Sequence, residues 1–125
     1  MHACLYFIIG QPVISEHPQN MSALGMTHVS LTCSANGLPR PSISWFKQQK
    51  DGSFVLLLSV GRYSVSLMSS GVDNRTSQLT ISSVVPSDAA KYLCKASTTT
   101  GAVVTSFSYL LVNGSLQRDC LLLGN

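Results

Sequence analysis

The stretch "SDAAKYLC" (residues 87–94) contains the pattern that decides the fold of this chain. Asp88, Ala90, Tyr92 and Cys94 stand at every second position. On a helix these four residues would spread around the cylinder, whereas on a β-strand they share one face. A phenol, a small residue and a cysteine that face one core indicate a structural role for this stretch and argue against a catalytic one.

The rest of the chain consists of short alternating or apolar runs that are separated by turn residues. "HVSLTCSA" (28–35) alternates cleanly, and "NGLPRP" (36–41) reads as a loop because glycine and two prolines interrupt it. No segment has the length and periodicity of a helix. Short strands at near-regular spacing indicate an antiparallel sandwich or barrel. The strands are predicted at or near residues 12–14, 28–35, 42–48, 54–58, 62–67, 77–82, 90–97 and 103–112.

The composition indicates one folded domain, since 45% of the 125 residues are hydrophobic. Eight Lys and Arg against five Asp and Glu give a net charge of +3, and these residues are scattered, without the dense basic stripe of a nucleic-acid binder. The four Cys include no CxxC pair, and the three His share no ligand spacing with them, which argues against zinc. Because no GxSxG, HExxH or Gly-rich phosphate motif is present, we expect neither enzyme activity nor a cofactor.

The two ends of the chain fall outside the strand pattern. "ACLYFIIG" (3–10) has about the length of the hydrophobic region of a signal peptide, but it lacks a basic segment before it and a clean cleavage site after it. Residues 1–10 are therefore either a truncated signal peptide or a lead-in to the first strand, and residues 114–125 are a tail or linker. No apolar run reaches the ~20 residues of a membrane-spanning helix.

Residues 11–113 resemble the immunoglobulin superfamily, and more particularly its I-set domains. The resemblance is carried by "VSLTCSANGLPRPSISWFK" (29–47), "SQLTISSVVPSDAAKYLCKAS" (77–97) and "TTTGAVVTSFSYLLV" (98–112). Cys, Trp and the Asp-x-Ala-x-Tyr-x-Cys run agree with the family in order and separation. The resemblance implies an all-β fold, a two-sheet antiparallel Greek-key sandwich.

The resemblance also assigns structural roles to individual residues. It implies a disulfide between Cys33 and Cys94 across the core, with Trp45 packed against it. The hydroxyl of Tyr92 would return to the backbone near Ser87 and fix the corner between two strands.

At one end of the sandwich, the resemblance implies a charge pair between Arg62 and Asp88. The apolar run "FVLLL" (54–58) would form the additional strand beside the third predicted one.

The last predicted strand has two alternative phases. Either Leu110 and Val112 face the core, or Phe107, Tyr109 and Leu111 do. The first phase is favoured because the last strand of the family tends to end in such a pair.

The candidate binding residues lie on the face of the predicted sheet that points away from the core. They are Phe46, Leu93, Lys95 and, in the favoured phase, Tyr109. Exposed apolar and aromatic residues on one face can mark a protein interface. The alternative is that a neighbouring domain covers them or that they are isolated surface residues.

Four lysines form a candidate basic patch for a glycosaminoglycan or an acidic partner, namely Lys47, Lys50, Lys91 and Lys95. The same lysines would also serve to keep a sheet face soluble, which is the more common role.

Three N-glycosylation sequons start at Asn20, Asn74 and Asn113, all in predicted loops or strand ends, and Asn74 is the favoured one. Cys4 and Cys120 have no counterpart in the core pattern. A cleaved Cys4, an interchain disulfide through Cys120 or an error at the ends of the gene model explains them better than a second disulfide within the domain.

These features favour an extracellular binding module of cell adhesion or receptor recognition, which belongs to a longer multi-domain protein and contacts a protein partner, homophilic or heterophilic. Two alternatives share the same fold. One is a structural spacer in an extracellular-matrix or muscle-type array, and the other is a secreted immune receptor or decoy. A fold does not by itself distinguish them.

Overall fold

The computed structural model describes residues 11–114. The candidate signal segment 1–10 with Cys4, and the tail from residue 115 onward with Cys120, lie outside the described residues.

Between residues 11 and 114, nine strands form two sheets, and the fold is the all-β sandwich expected from the sequence. One sheet has four strands in the order β1-β3-β7-β6, and the other has five in the order β2-β9-β8-β4-β5. The strands are β1 (Val13–Glu16), β2 (Met21–Leu24), β3 (Val29–Asn36), β4 (Ser42–Gln48), β5 (Phe54–Leu57), β6 (Tyr63–Ser70), β7 (Asn74–Ile81), β8 (Ala90–Ser97) and β9 (Val103–Asn113). A 3₁₀ turn, Pro86–Asp88, leads into β8.

The core lies between the two sheets and is built from the inward-facing positions of alternating strands. On β3 these are Val29, Leu31, Cys33 and Ala35, all of them buried. On β8 the buried positions follow the same period of two, because side chains alternate between the two faces of a strand. Trp45 is fully buried, and its indole Nε1 donates a hydrogen bond of 2.9 Å to the hydroxyl of Ser77 on the opposite sheet.

The first strand is divided between the two sheets, which the sequence did not predict. After β1 pairs antiparallel with β3, the chain crosses over, and β2 pairs with β9 in parallel. The expected sandwich is therefore antiparallel except for this one pair of strands. β2 places only two apolar side chains, Met21 and Ala23, against the core, so its alternation is too short to stand out in the sequence.

The β6–β7 hairpin is longer than the sequence predicted. Its ladder runs from Tyr63 opposite Ile81 to Ser70 opposite Asn74. Gly71, which follows β6, has a φ of +63°, a backbone conformation that residues other than glycine adopt only at an energetic cost.

The last strand, β9, has the phase that places Leu110 in the core. Leu110 is 1% exposed, whereas Phe107, Tyr109 and Leu111 are 46%, 52% and 60% exposed. Because successive side chains alternate, these three all lie on the outward side of the five-stranded sheet.

Candidate binding face

The two core cysteines join the sheets. Cys33 on β3 and Cys94 on β8 form a disulfide with Cα atoms 6.5 Å apart. Trp45 lies directly opposite Cys94 in the β4–β8 ladder. These residues are fully buried, so they stabilise the fold and are out of reach of a partner.

Arg62 and Asp88 form an ion pair at the end of the sandwich that carries the 3₁₀ turn. The guanidinium donates to both carboxylate oxygens of Asp88, at 2.7 Å and 3.0 Å. The backbone N–H of Val85 and the hydroxyl of Tyr63 donate to the same carboxylate. Burial raises the pKa of Asp88, but the hydrogen bonds from Arg62 and Val85 outweigh it, and the pKa lies below its usual value.

Tyr92 fixes the corner before β8. Its hydroxyl donates a 2.6 Å hydrogen bond to the backbone carbonyl of Asp88, one residue beyond the position that the family pattern suggested. Burial, and next the neighbouring Tyr63, raise the pKa of Tyr92, so the phenol stays protonated as a donor. The buried half of the SDAAKYLC stretch thus has a structural role.

The outward side of the five-stranded sheet, called here the outer face, carries the surface that a partner can reach. One row of apolar side chains crosses four adjacent strands. Phe46 on β4 stands opposite Leu56 on β5 and Leu93 on β8, and Leu93 stands opposite Phe107 on β9. Phe46 and Leu93, in the middle, are half-buried, and Leu56 and Phe107 are 48% and 46% exposed.

Aromatic residues beside this row enlarge the apolar surface. The rings of Phe54 and Phe107 lie 6.4 Å apart between centroids, in a tilted arrangement. Tyr109 and Leu111 follow Phe107 on the same side of β9 and are more than half exposed. A contiguous apolar surface of this kind is uncommon on a soluble domain unless something binds to it.

Two lysines lie over the aromatic rings of the outer face. The Nζ of Lys91 is 3.9 Å from the ring centroid of Phe107 and 5.8 Å from that of Tyr109. The Nζ of Lys95 is 5.8 Å from the ring centroid of Phe46. Each ammonium group is within the range of a cation–π interaction, so the positive charges are held within the apolar surface.

The four candidate lysines do not form one patch. Lys91 and Lys95 share the outer face of β8, whereas Lys47 lies on the other side of β4 from Phe46 and donates a hydrogen bond to the backbone carbonyl of Ser87. Lys50 is exposed in the turn between β4 and β5. This division argues against a single polyanion-binding stripe.

The predicted face residues Phe46, Leu93, Lys95 and Tyr109 all lie on the outer face. The sequence prediction of this face missed Leu56 and Phe107, which complete the surface, and it placed Lys91 in the candidate basic patch only. A usable signal existed for Phe107, because it shares the face of Tyr109 at a spacing of two. The position of Leu56 depends on the pairing of β5 with β4, which the sequence does not reveal.

The three sequons differ in their surroundings. Asn20 is exposed, and its Oδ1 accepts a 2.9 Å hydrogen bond from the backbone N–H of Tyr109. Asn74, at the start of β7, is half-buried, and its Nδ2 donates to the Oδ1 of Asn36 at 2.6 Å. Asn113 is exposed at the end of β9, but Ser115 of its sequon lies outside the described residues.

Between residues 11 and 114, no group of three or more His, Cys, Asp and Glu side chains is placed to hold a metal ion. In the same part of the chain, no helix has the length and hydrophobicity needed to cross a bilayer.

Comparison with known proteins agrees with this architecture. The family model of the immunoglobulin domain matches residues 11–98. Human hemicentin-1 is 40% identical over 84 residues, which cover 66% of this chain and 1% of hemicentin-1. The chain thus spans only a small fraction of such curated relatives.

Two solved structures illustrate the likeness of fold. The N-terminal Ig1-2 module of the Drosophila receptor protein tyrosine phosphatase DLAR is 28% identical with a TM-score of 0.69, and the match covers 86% of this chain and 52% of that one. A chimeric titin Z1Z2, functionalized with an exogenous peptide from decorin, is 25% identical with a TM-score of 0.70, covering 85% of this chain and 97% of that one. These matches are compatible with the I-set subtype. The family match, the sandwich and its core disulfide together show that the chain belongs to the immunoglobulin domain family.

Proposed function

We propose that this domain is an extracellular binding module of cell adhesion or receptor recognition, that it works within a longer multi-domain protein, and that it contacts a protein partner through the outer face. The observation that carries the proposal is the apolar row formed by Leu56, Phe46, Leu93 and Phe107. Its two ends are about half exposed, so a partner that covers the row would remove a substantial apolar area from water.

Two further observations support an extracellular binding role. The core disulfide between Cys33 and Cys94 is of the kind that persists in oxidising compartments. The DLAR module, which is similar in fold and sequence, belongs to a receptor. Binding involves no chemical step in this proposal.

The proposal can be tested with the secreted full chain on an array of purified cell-surface ectodomains. The variant Leu56→Ser/Phe107→Ser removes the exposed ends of the row. A matched control, Leu67→Ser, changes a 50% exposed leucine on β6 in the other sheet. We expect ectodomain binding to be lost with the first variant and kept with the control. Binding that survives the outer-face variant would refute the outer face as the contact surface.

A spacer role in an array of similar domains is the second candidate, because the titin Z1Z2 structure is also similar in fold. In that case a neighbouring domain covers the outer face. Hydrogen exchange distinguishes the two roles. A spacer predicts that amides of β8 and β9 exchange more slowly in the full-length protein than in this chain, whereas a free binding face predicts equal rates.

A further inference from the structure

We propose that the outer face binds a heterologous protein that presents carboxylates among apolar side chains, with the carboxylates placed against Lys91 and Lys95. This inference rests on the proposed function, and it adds the chemistry of the partner. It also makes a face-to-face pairing of two copies of this chain unfavourable.

The charge of the outer face comes from two lysines. Lys91 and Lys95 are the charged groups on it, and none of the described carboxylates shares that surface. Each described carboxylate is engaged elsewhere or lies in a turn. Glu16 accepts a hydrogen bond from Ser34 in the other sheet, Asp51 accepts two from Ser53 in the β4–β5 turn, Asp73 lies in the β6–β7 turn, and Asp88 pairs with Arg62. Among residues 11–114, the outer face is therefore positive, and no carboxylate on it neutralises the two lysines.

The two ammonium groups lie on the middle strand of the five-stranded sheet. Lys91 and Lys95 both lie on β8, which has β9 on one side and β4 on the other. Their Nζ atoms rest over rings of those neighbouring strands, at 3.9 Å for Phe107 and 5.8 Å for Phe46. The charges are thus at the centre of the sheet and inside the apolar surface, where a docked partner would cover them.

Docking of a partner on the outer face would desolvate both lysines. A partner that covers the apolar row excludes water from the two ammonium groups at the same time. A buried charge without a partner is strongly unfavourable, whereas a carboxylate in hydrogen-bonding contact compensates for the lost water. The apolar row therefore selects for apolar side chains, and the lysines select for carboxylates beside them.

A second copy of the chain does not supply the carboxylates that the outer face requires. Two outer faces packed against each other would bring four lysines and no carboxylate into one interface. Like charges in a low-dielectric interface repel each other, so this arrangement disfavours a homodimer through the outer face. Charge complementarity points to a different, acidic partner.

The inference can be tested by selecting disulfide-constrained random peptides, displayed on phage, against the biotinylated, secreted full chain. We expect the enriched peptides to combine Asp or Glu with aliphatic or aromatic residues. The affinity of a synthesised enriched peptide should fall about tenfold or more for Lys91→Glu/Lys95→Glu, since like charges then oppose each other. The control Lys50→Glu, a single reversal of charge in the β4–β5 turn away from the outer face, should leave the affinity within about twofold.

Folding and apolar packing are controlled separately. Lys91→Met/Lys95→Met keeps the aliphatic length over the rings and removes the charges, and its urea unfolding midpoint shows whether the sheet is intact. With the sheet intact, we expect this variant to lose affinity for acidic peptides and to gain affinity for peptides without charge.

The outcomes separate the two proposals. Suppose that the selected peptides lose affinity for Leu56→Ser/Phe107→Ser, but are neutral or basic, or bind the lysine variants as tightly as wild type. In that case the outer face is the binding surface and the acidic-partner inference is wrong. If they ignore both sets of variants, the outer face itself is not the binding surface. A concentration-dependent dimer in sedimentation that Phe107→Ser dissociates would also overturn the inference. The inference would also be wrong if no acidic peptide is selected and the chain instead binds heparin at physiological salt, with that binding lost in Lys91→Glu/Lys95→Glu.

Discussion

The guanidinium of Arg62 donates two hydrogen bonds to the carboxylate of Asp88, at 2.7 Å and 3.0 Å, and one more to each of the backbone carbonyls of Ser82 and Ser83. The Arg62 side chain is 40% exposed, whereas that of Asp88 is 1% exposed. Asp88 also accepts from the N–H of Val85. One half-exposed cation therefore compensates a buried anion and ties the end of β7 to the turn before β8.

Replacing Arg62 with Ala should destabilise the domain by about 2–3 kcal/mol, because the Asp88 carboxylate would stay buried with its principal partner removed. We place the cost below that of a fully buried pair, since the exposed arginine is screened by solvent. Urea unfolding at neutral pH measures it. Arg62→Lys keeps the positive charge but cannot form the bidentate contact with Asp88, so it should lose less stability than Arg62→Ala. An Arg62→Ala variant as stable as the exposed-site control Lys50→Ala would contradict this account.

The same pair makes stability depend on acid pH. The pKa of Asp88 is lower in the folded protein than in the unfolded chain, so its contribution is present above about pH 4, the ordinary value for Asp. It is lost as the pH falls further, through the folded pKa. Unfolding free energies from pH 7 to pH 2 should therefore decline below about pH 4. The decline should be shallower in Asp88→Asn, which cannot titrate, and equal slopes in the two proteins would argue against the linkage.

Tyr92→Phe removes only the hydroxyl that donates to the carbonyl of Asp88 at 2.6 Å. The carbonyl acceptor remains without that donor, so we expect a loss of about 1–3 kcal/mol. Tyr109→Phe removes a hydroxyl from a side chain that is 52% exposed and should change stability by less than about 0.5 kcal/mol. Paired thermal or urea unfolding of the two variants gives the comparison, and similar values for both would show that the corner bond is dispensable.

Removing the disulfide with Cys33→Ala/Cys94→Ala should cost about 2–5 kcal/mol, because the bridge spans a sequence separation of 61 residues and constrains the unfolded chain. The effect should appear as reduced secretion as well as a lower urea midpoint. If the disulfide acts mainly through the unfolded state, unreduced wild type and the double variant should have similar far-UV spectra in the absence of denaturant.

The core could be predicted from the sequence because its residues follow a local period of two. Cys33, Trp45, Tyr92 and Cys94 each stand on a strand whose alternation is visible, and the family pattern fixes their partners. For β9 the alternation left two phases open, and Leu110 was favoured because the last strand of the family tends to end in such a pair. What the pattern encodes is the side of the strand on which each residue lies.

The features that the sequence did not predict depend on pairings between strands that are distant in the chain. β2 (Met21–Leu24) pairs with β9 in parallel, and the alternation of its four residues is too short to predict a strand. Lys91 lies over Phe107 because the β8–β9 register places Leu93 opposite that ring. A strand pattern alone does not contain this register. The scaffold was therefore easier to predict than the surface.

Among the N-glycosylation sequons, the surroundings of the acceptor side chains favour Asn20 over the Asn74 that the sequence suggested. Asn20 is exposed, its Oδ1 is held by the N–H of Tyr109, and its Nδ2, the atom that would carry the glycan, donates to no residue between 11 and 114. The Nδ2 of Asn74 donates to Asn36 from a half-buried position. When the chain is secreted from eukaryotic cells, we expect Asn20 to be occupied and Asn74 to be largely unmodified.

Peptide mapping after enzymatic deglycosylation in heavy-oxygen water measures the occupancy of each sequon, and Ser22→Ala, which removes the Asn20 sequon, is the matched control. A glycan at Asn20 would stand beside Tyr109 at the β2–β9 side of the outer face, because Asn20 contacts the backbone there. It would leave Leu56 and Phe46, on the far side of β8, open to a partner. Peptide affinity should therefore differ little between wild type and Ser22→Ala. Full occupancy of Asn74 with an empty Asn20 would contradict the assignment, and a large gain in affinity on deglycosylation would show that the bound partner reaches across β9 to Tyr109.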